Sequence, residues 1–358
     1  MIELVHEPHV LPVEIPAPSY THLRRLTDAG GLYEHAEGMT PRRVHGYCLD
    51  DVARALVVVC REEDAPELDD LREQYLAFVL AAQEPDGRFH NRRQLDLSWP
   101  DAASVEDCWG RALWGLGTAV ARVPHLRERA LEAFDRGVGL RSPHRRAMAF
   151  AALGAAEVLA VLPQHKQARA LLAAAAVAVG EPSSDKAWRW PEPRMSYANA
   201  ALPDALLAAG AALKSPSIVA DGLRLLGWLL EAQTRDGHLS VVPARGRGPG
   251  ETLPAFDQQP IEVAALADAC ARAHRIAGRR LWAEGVELAA AWFLGDNDSG
   301  TPMHDPVSGG GFDGLEPAGR NENQGAESTL ALLATLQQAR SMALHERLRV
   351  RSSMKSVG

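Results

Sequence analysis

The chain has 358 residues, a formal net charge of −8 and 46% hydrophobic residues, enough to bury one large core or two ordinary ones. The acidic balance, with no basic stripe, argues against a nucleic-acid surface. The longest apolar run, near residues 170–179, falls far short of the ~20 residues of a membrane span.

Residues 1–18 are acidic and proline-broken, unlike a secretory signal. Cys48, Cys60, Cys108 and Cys270 form no CxxC pair, and Cys60 and Cys270 sit in apolar helical contexts. Free thiols without a signal point to a cytoplasmic protein.

Two kinds of helical segment alternate along the chain. The amphipathic SYTHLRRLTDAG precedes LDDVARALVVVC, which begins at Leu49. LDDLREQYLAFVLAAQ precedes VEDCWGRALWGLGTAVA from Val105, and LRERALEAFDRGV precedes RRAMAFAALGAAEVLAVL from Arg145. HKQARALLAAAAVAV precedes NAALPDALLAAGAAL from Asn199, and SIVADGLRLLGWLLEAQ precedes IEVAALADACARAH from Ile261. RRLWAEGVELAAAWFLG precedes AESTLALLATLQQA from Ala326.

Most of the first kind carry apolar residues at i, i+3, i+4 and i+7 with charges opposite, giving one buried and one wet face. The second kind is Ala-, Gly- and Leu-rich on nearly all faces beyond its first turn, as in helices buried all round. Their uneven spacing, roughly forty to sixty residues, fits helical hairpins joined by variable loops. The predicted fold is all-α, a single-domain (α/α)6 barrel or six-hairpin toroid spanning 1–340. Residues 341–358 read as a basic, partly disordered C-terminal tail.

Loop lengths orient this ring. Connections after inner-type helices are short, such as 61–67 and 163–165, while those before most inner helices, 84–104, 180–198, 236–260 and 295–325, are long. All inner helices then run parallel and the long loops gather at one end, where function is expected. Asp86-Gly87 and Asp236-Gly237 each follow an outer helix and read as stop-and-turn signals. Strand character is expected only in HLSVV, 238–242.

Polar residues cluster at the inner-helix starts. Tyr47, Cys48, Asp50 and Asp51 open the first; Glu106, Asp107 and Arg111 the second; Tyr197 and Asn199 precede the fourth. Asp257, Gln258, Gln259 and Glu262 frame the fifth, and Asn321, Glu322, Asn323, Gln324 and Glu327 the sixth. Capping and dipole effects favour acids in first turns, but they explain the amides and tyrosines less well. Carboxylates, amides and rings together suit a polyhydroxylated ligand. The acid/base candidates are Asp51, Asp107, Asp257, Glu262 and Glu327. Asp51 and Arg54, at i and i+3, could instead form a structural pair.

Trp188 and Trp190, in the proline-rich WRWPEPRMSYANA loop, are candidate stacking platforms, with Phe312 and Asp313 of GGGFDGL as further binding residues. Trp228, Trp282 and Trp292 read as core, and Trp109 and Trp114 are ambiguous. His45, Cys48 and Cys108 lack a recognisable zinc motif, and Gly309–Gly311 has no Walker-type lysine after it. No metal or cofactor is expected.

GYCLDDVARAL, DCWGRALWGLG, YANAALPDALLAA, FDQQPIEVAA and GGGFDGL…NENQGAESTLALL, in this order over nearly the whole chain, resemble the six-hairpin (α/α)6-toroid carbohydrate-active enzymes. More narrowly, the chain is similar to an uncharacterised bacterial family found beside, or fused to, glycosyltransferases. The resemblance implies a carbohydrate ligand and a possible glycosyltransferase partner; it assigns no catalytic role.

The leading expectation is a glycoside hydrolase acting on a bacterial oligo- or polysaccharide, inverting, with Glu327 as acid and Asp257 as base. A sugar epimerase or isomerase of the N-acylglucosamine epimerase type would instead use mouth histidines, of which His45, His90 and His304 lie in suitable loops. The third reading is a non-catalytic glycan-binding partner of a glycosyltransferase.

Overall fold

The computed structural model describes residues 15–62 and 64–355, with side chains as far as Leu344. Twelve α-helices occur among them. In chain order they are α1 (Thr21–Leu26), α2 (Leu49–Arg61), α3 (Asp69–Ala81), α4 (Asp107–Arg122), α5 (Arg127–Gly137) and α6 (Arg145–Val161). Then come α7 (Lys166–Val179), α8 (Ala201–Leu213), α9 (Pro216–Ala232), α10 (Pro260–Ala277), α11 (Arg280–Phe293) and α12 (Ala326–Lys355). The even-numbered helices pack in sequence, and α12 packs back on α2 to close the inner ring. The odd-numbered ones lie outside. The six inner helices start within two residues of the expected positions.

Composition explains which helix goes where. In α6, Ala147 to Ala155 are all buried, so only small and apolar side chains fit. In α5, burial is confined to Ala130, Ala133, Phe134 and Gly137, one stripe with charges opposite. The tightest packing is between α4 and α6. A Cβ at Gly110 would overlap the Ala147 carbonyl, one at Gly117 the Gly154 carbonyl, and one at Gly154 the Leu113 carbonyl. Glycine there lets backbone meet backbone.

Strand content exceeds the expectation. Among the described residues five antiparallel two-stranded sheets form: β1 (Thr27–Asp28) with β2 (Gly31–Leu32), β3 (Ala36–Glu37) with β4 (Thr40–Pro41), and β5 (Tyr47–Cys48) with β6 (Arg92–Arg93). The others are β7 (Thr234–Arg235) with β8 (His238–Leu239) and β9 (Gly314–Glu316) with β10 (Gly319–Asn321). HLSVV therefore contributes only its first two residues to a strand. Strands of two or three residues are too short to show a period-two pattern. Asp236 and Gly237, at φ 50° and 88°, make the left-handed turn between β7 and β8.

The α12 backbone stays helical to Lys355, beyond residue 340 where the sequence reading begins a tail. Its start meets the N-terminal hairpins: the Ala326 N–H donates to the Glu34 carbonyl at 3.0 Å and the Gln324 N–H to the Gly38 carbonyl at 3.0 Å. The ring is thus closed by contacts between the two ends of the chain.

Gly154→Ala should destabilise the protein by about 1–3 kcal/mol or more through overpacking, read by denaturant unfolding. Gly139→Ala, with no atom within 4 Å of the added carbon, should stay within about 0.5 kcal/mol of the native chain. Equal losses at both sites would remove the backbone-contact account of α4 and α6.

Candidate active site

The first turns of the inner helices rim a cavity of about 420 Å³. Asp50, Asp51 and Arg54 line it from α2, Asp107 and Arg111 from α4, Gln259 from the start of α10, and Glu327 and Ser328 from α12. Loops add Glu34, His35, Tyr197, Asp257 and Asp313, while β5, β6 and β10 add Cys48, Arg92 and Asn321.

Arg54 joins two of the candidate acids. One end of its guanidinium pairs with Asp51, three residues earlier; the other donates to Glu327 of α12 at 2.6 Å. The pair suggested by the i, i+3 spacing therefore forms and extends across the ring. Burial pushes the Asp51 carboxyl up to about 7, against the pull of Arg54 and with the Glu327 charge adding to the rise. Glu327 differs because 40% of its side chain is open to the cavity. Burial raises its pKa too, but the Arg54 charge and hydrogen bond outweigh that and hold the carboxyl below its ordinary range.

Asp257 is exposed into the cavity from the loop before α10. Its carboxylate lies against Gly314, where any Cβ would overlap it, so the glycine of the FDGL sequence makes room for the acid. Partial burial, then the charges of Glu316 and Asp313, raise the Asp257 pKa. Neighbouring Asp313 is raised by burial while it accepts the Gly325 N–H at 2.7 Å.

On the α4 side, Tyr197 donates to Asp107 at 2.5 Å while its ring stays 40% exposed, with the Arg146 guanidinium 5.0 Å from the ring centre. Arg111 is buried above the Phe150 ring, 4.1 Å from its centre, and faces Asp50 at 3.4 Å. The Asn91 amide donates to the second Asp50 oxygen at 3.0 Å.

Other residues expected here serve the frame instead. Glu262 is buried and accepts from the Asn199 amide at 2.8 Å. Asn199 in turn accepts from Arg146 at 3.0 Å, and Arg146 pairs with Glu192 at 3.0 Å, which pins the 180–198 loop. Tyr47 is buried against Tyr33, ring centres 4.9 Å apart, and donates to Asp28 at 2.8 Å. Gln258 donates to Asp298 at 2.6 Å, and Gln324 to Asp305 at 3.0 Å. Asn323 accepts the Gly38 N–H at 3.0 Å, and Phe312 is buried under Arg320. Trp188 and Trp190 make no platform at the mouth. Both pack on Trp228 of α9, at 5.5 and 6.5 Å between ring centres, where burial of large rings is worth most. Tyr197 is the aromatic ring that faces the cavity among the described lining residues.

Glu34, His35 and Arg92 escaped the sequence reading because they open no inner helix. They reach the mouth from the hairpin region before α2 and from β6, and Arg92 pairs with Glu34. The lining acids number seven, against three arginines and His35. Of the other histidines, His90 is held by Glu84 at 2.8 Å and stacks on Trp99, and neither His45 nor His304 lines the cavity.

Glu34, Cys48 and Asp51 bring ligand-type atoms within 4.8 Å of one another. The set suits a metal poorly: Arg92 and Arg54 already neutralise its carboxylates. Burial and the Asp51, Asp50 and Glu34 charges push the Cys48 thiol well above its ordinary range. The glycines 309–311 are packing positions: a Cβ would meet Ser19 at 309, Gln324 at 310 and the Ser328 carbonyl at 311.

No protein-family model matches the chain, and no curated protein matches it in sequence. Solved structures match it in shape. A sugar epimerase from a ruminal bacterium superposes with a TM-score of 0.67 at 12% identity, covering 89% of this chain and 95% of its own. A cellobiose 2-epimerase from Bacillus thermoamylovorans gives 0.67 at 11%, with the same two shares of 89% and 95%. A GH76 α-mannanase from Bacteroides thetaiotaomicron gives 0.64 at 12%, over 92% and 94%. The chain has the (α/α)6 toroid fold. At these identities the fold is what is shared.

Burial lifts Glu262 from an ordinary 4.5 to about 7, so the folded protein holds a proton there that the unfolded chain releases. Its contribution to stability is complete below about pH 4.5 and lost as pH rises through 7. Relative to Glu262→Gln, which stays neutral and keeps an acceptor for Asn199, the native chain should lose about 1–3 kcal/mol across that window. Urea unfolding of both proteins from pH 4.5 to 8 checks this; parallel curves would mean Glu262 is solvated.

Proposed function

We propose that the chain hydrolyses a glycosidic bond by carboxylate acid/base catalysis with inversion, Asp257 acting as general acid and Glu327 as general base. The reading rests on one observation. A single cavity holds a carboxyl whose proton is retained to higher pH, Asp257, and a carboxylate kept ionised by Arg54, Glu327. An acid must carry its proton and a base must have lost it before the reaction begins. This reverses the roles expected from the sequence. Tyr197 offers a ring for stacking against a sugar face, and Gln259, Asn321 and Arg111 offer hydrogen bonds to hydroxyls. The likeness in fold to a mannanase and to sugar epimerases supports a carbohydrate ligand.

A screen of bacterial oligosaccharides, followed by aryl glycosides of the sugar that reacts, tests the roles. Asp257→Asn should lose about 10²–10⁴-fold on the natural linkage yet retain most activity on a dinitrophenyl glycoside, whose leaving group needs no proton. Glu327→Gln should lose both. The opposite pattern would return the roles to the original assignment, and full activity in both variants removes the mechanism. Proton NMR of the first-formed anomer decides between inversion and retention. Tight oligosaccharide binding with no product on long incubation would leave a glycan-binding protein.

His35 favours a second reading, epimerisation of a sugar, because it lines the cavity 3.5 Å from Glu34. Deuterium from solvent incorporated into recovered sugar, and lost in His35→Asn, would establish it.

A further inference from the structure

Below the polar cavity lies a second, smaller space of about 60 Å³ running down the ring axis. The two share Arg54, Arg111 and Glu327, so the proposed general base stands at the neck between them. The walls change character at that level. Trp114 and Phe150 present parallel rings 6.1 Å apart, and Val57, Ala264, Ala331 and Ala334 face them from α2, α10 and α12. At the far end stand paired charges. Arg61 binds Asp268 at 2.9 and 3.0 Å, Gln338 adds a bond to Asp268 at 2.7 Å, and Arg272 binds Asp204 at 2.5 Å. The polar groups of the floor thus satisfy one another.

Protein interiors are packed to the density of organic crystals, and facing alanines on α10 and α12 hold open what a leucine would fill. A wall so poor in donors and acceptors rejects a hydroxylated sugar ring, and is suited to an apolar group. The neck carries the opposite chemistry. Arg111 lines both spaces and is 5% exposed, with its Nε turned to Asp50 at 3.4 Å. A buried guanidinium so placed can receive an oxygen from a ligand that passes it.

We infer that this chamber is a subsite for an apolar alkyl or acyl substituent carried by the sugar ligand, with the sugar held in the polar cavity and its first oxygen at Arg111. The inference rests on the carbohydrate reading for the sugar and on the chamber itself for the apolar group.

Calorimetric titration with methyl, butyl and octyl glycosides of one sugar that binds tests it, alongside thermal shifts with butanol and hexanol, which carry no sugar. Affinity should rise about fourfold for each methylene buried, until the chamber is full. Ala264→Phe should flatten that rise while leaving the methyl glycoside bound as before. Ala334→Leu provides a smaller filler should the larger one fail to fold. Glycosides that bind with no dependence on chain length would overturn the chamber and leave the carbohydrate reading intact. If no glycoside binds but the alcohols stabilise the native chain and not Ala264→Phe, the chamber stands and the carbohydrate reading falls. No response to either class of ligand removes both.

Discussion

Close approach of neighbouring inner helices, closer than large side chains permit, is the constraint on which the ring of this protein depends. Glycines at 110, 117 and 154 bring α4 and α6 into backbone contact. Alanines serve the same purpose elsewhere on the inner ring, and they do so on two sides at once. Facing a neighbouring helix they set the ring's radius; facing the axis they leave room along it. The outer helices face no such limit, and their large residues, Trp282 and Trp292 among them, fill the space behind the ring.

A ring built this way has two unlike ends. The inner helices start at the same end, so acids and amides drawn to unpaired N–H groups there become neighbours across a cavity although they lie far apart in sequence. Seven acids in one enclosure would repel unless some were neutralised. Arginines from inside the ring provide this: Arg54 serves two carboxylates and Arg111 faces a third. The shared cation makes the acids unequal. Asp51 is buried enough to be driven up to about 7, while Glu327, more open, is drawn down.

The sequence disclosed the fold more fully than the site for a physical reason. Helix identity is written in composition spread over many residues, and the contrast between an all-round apolar α6 and a one-sided α5 survives any error at a boundary. The orientation of the ring was equally legible, since loop length is visible without coordinates. Side-chain direction is a different quantity. Glu262 opens an inner helix as Glu327 does, yet it turns outward to bind Asn199 while Glu327 turns inward. Gln258 and Gln259 are adjacent and part company in the same way, one buried against Asp298 and the other facing the cavity. Glu34 and His35 show the converse, since hairpins with strands of two residues carry them to the mouth and so short a pairing leaves no periodic trace.

The closure of the ring by the two ends of the chain bears on how the protein is made. The Glu34 carbonyl waits for the Ala326 N–H, and at about 5–20 residues per second the ribosome needs roughly fifteen to sixty seconds to supply it. During that interval Asp51 and Arg54 have been synthesised and Glu327, the second partner of Arg54, has not. The ion-pair chain of Asp51, Arg54 and Glu327 can therefore be completed only once α12 has been made. A chain cut short before α12 would keep six of the seven lining acids and lose Glu327, the one that Arg54 joins to Asp51 across the ring.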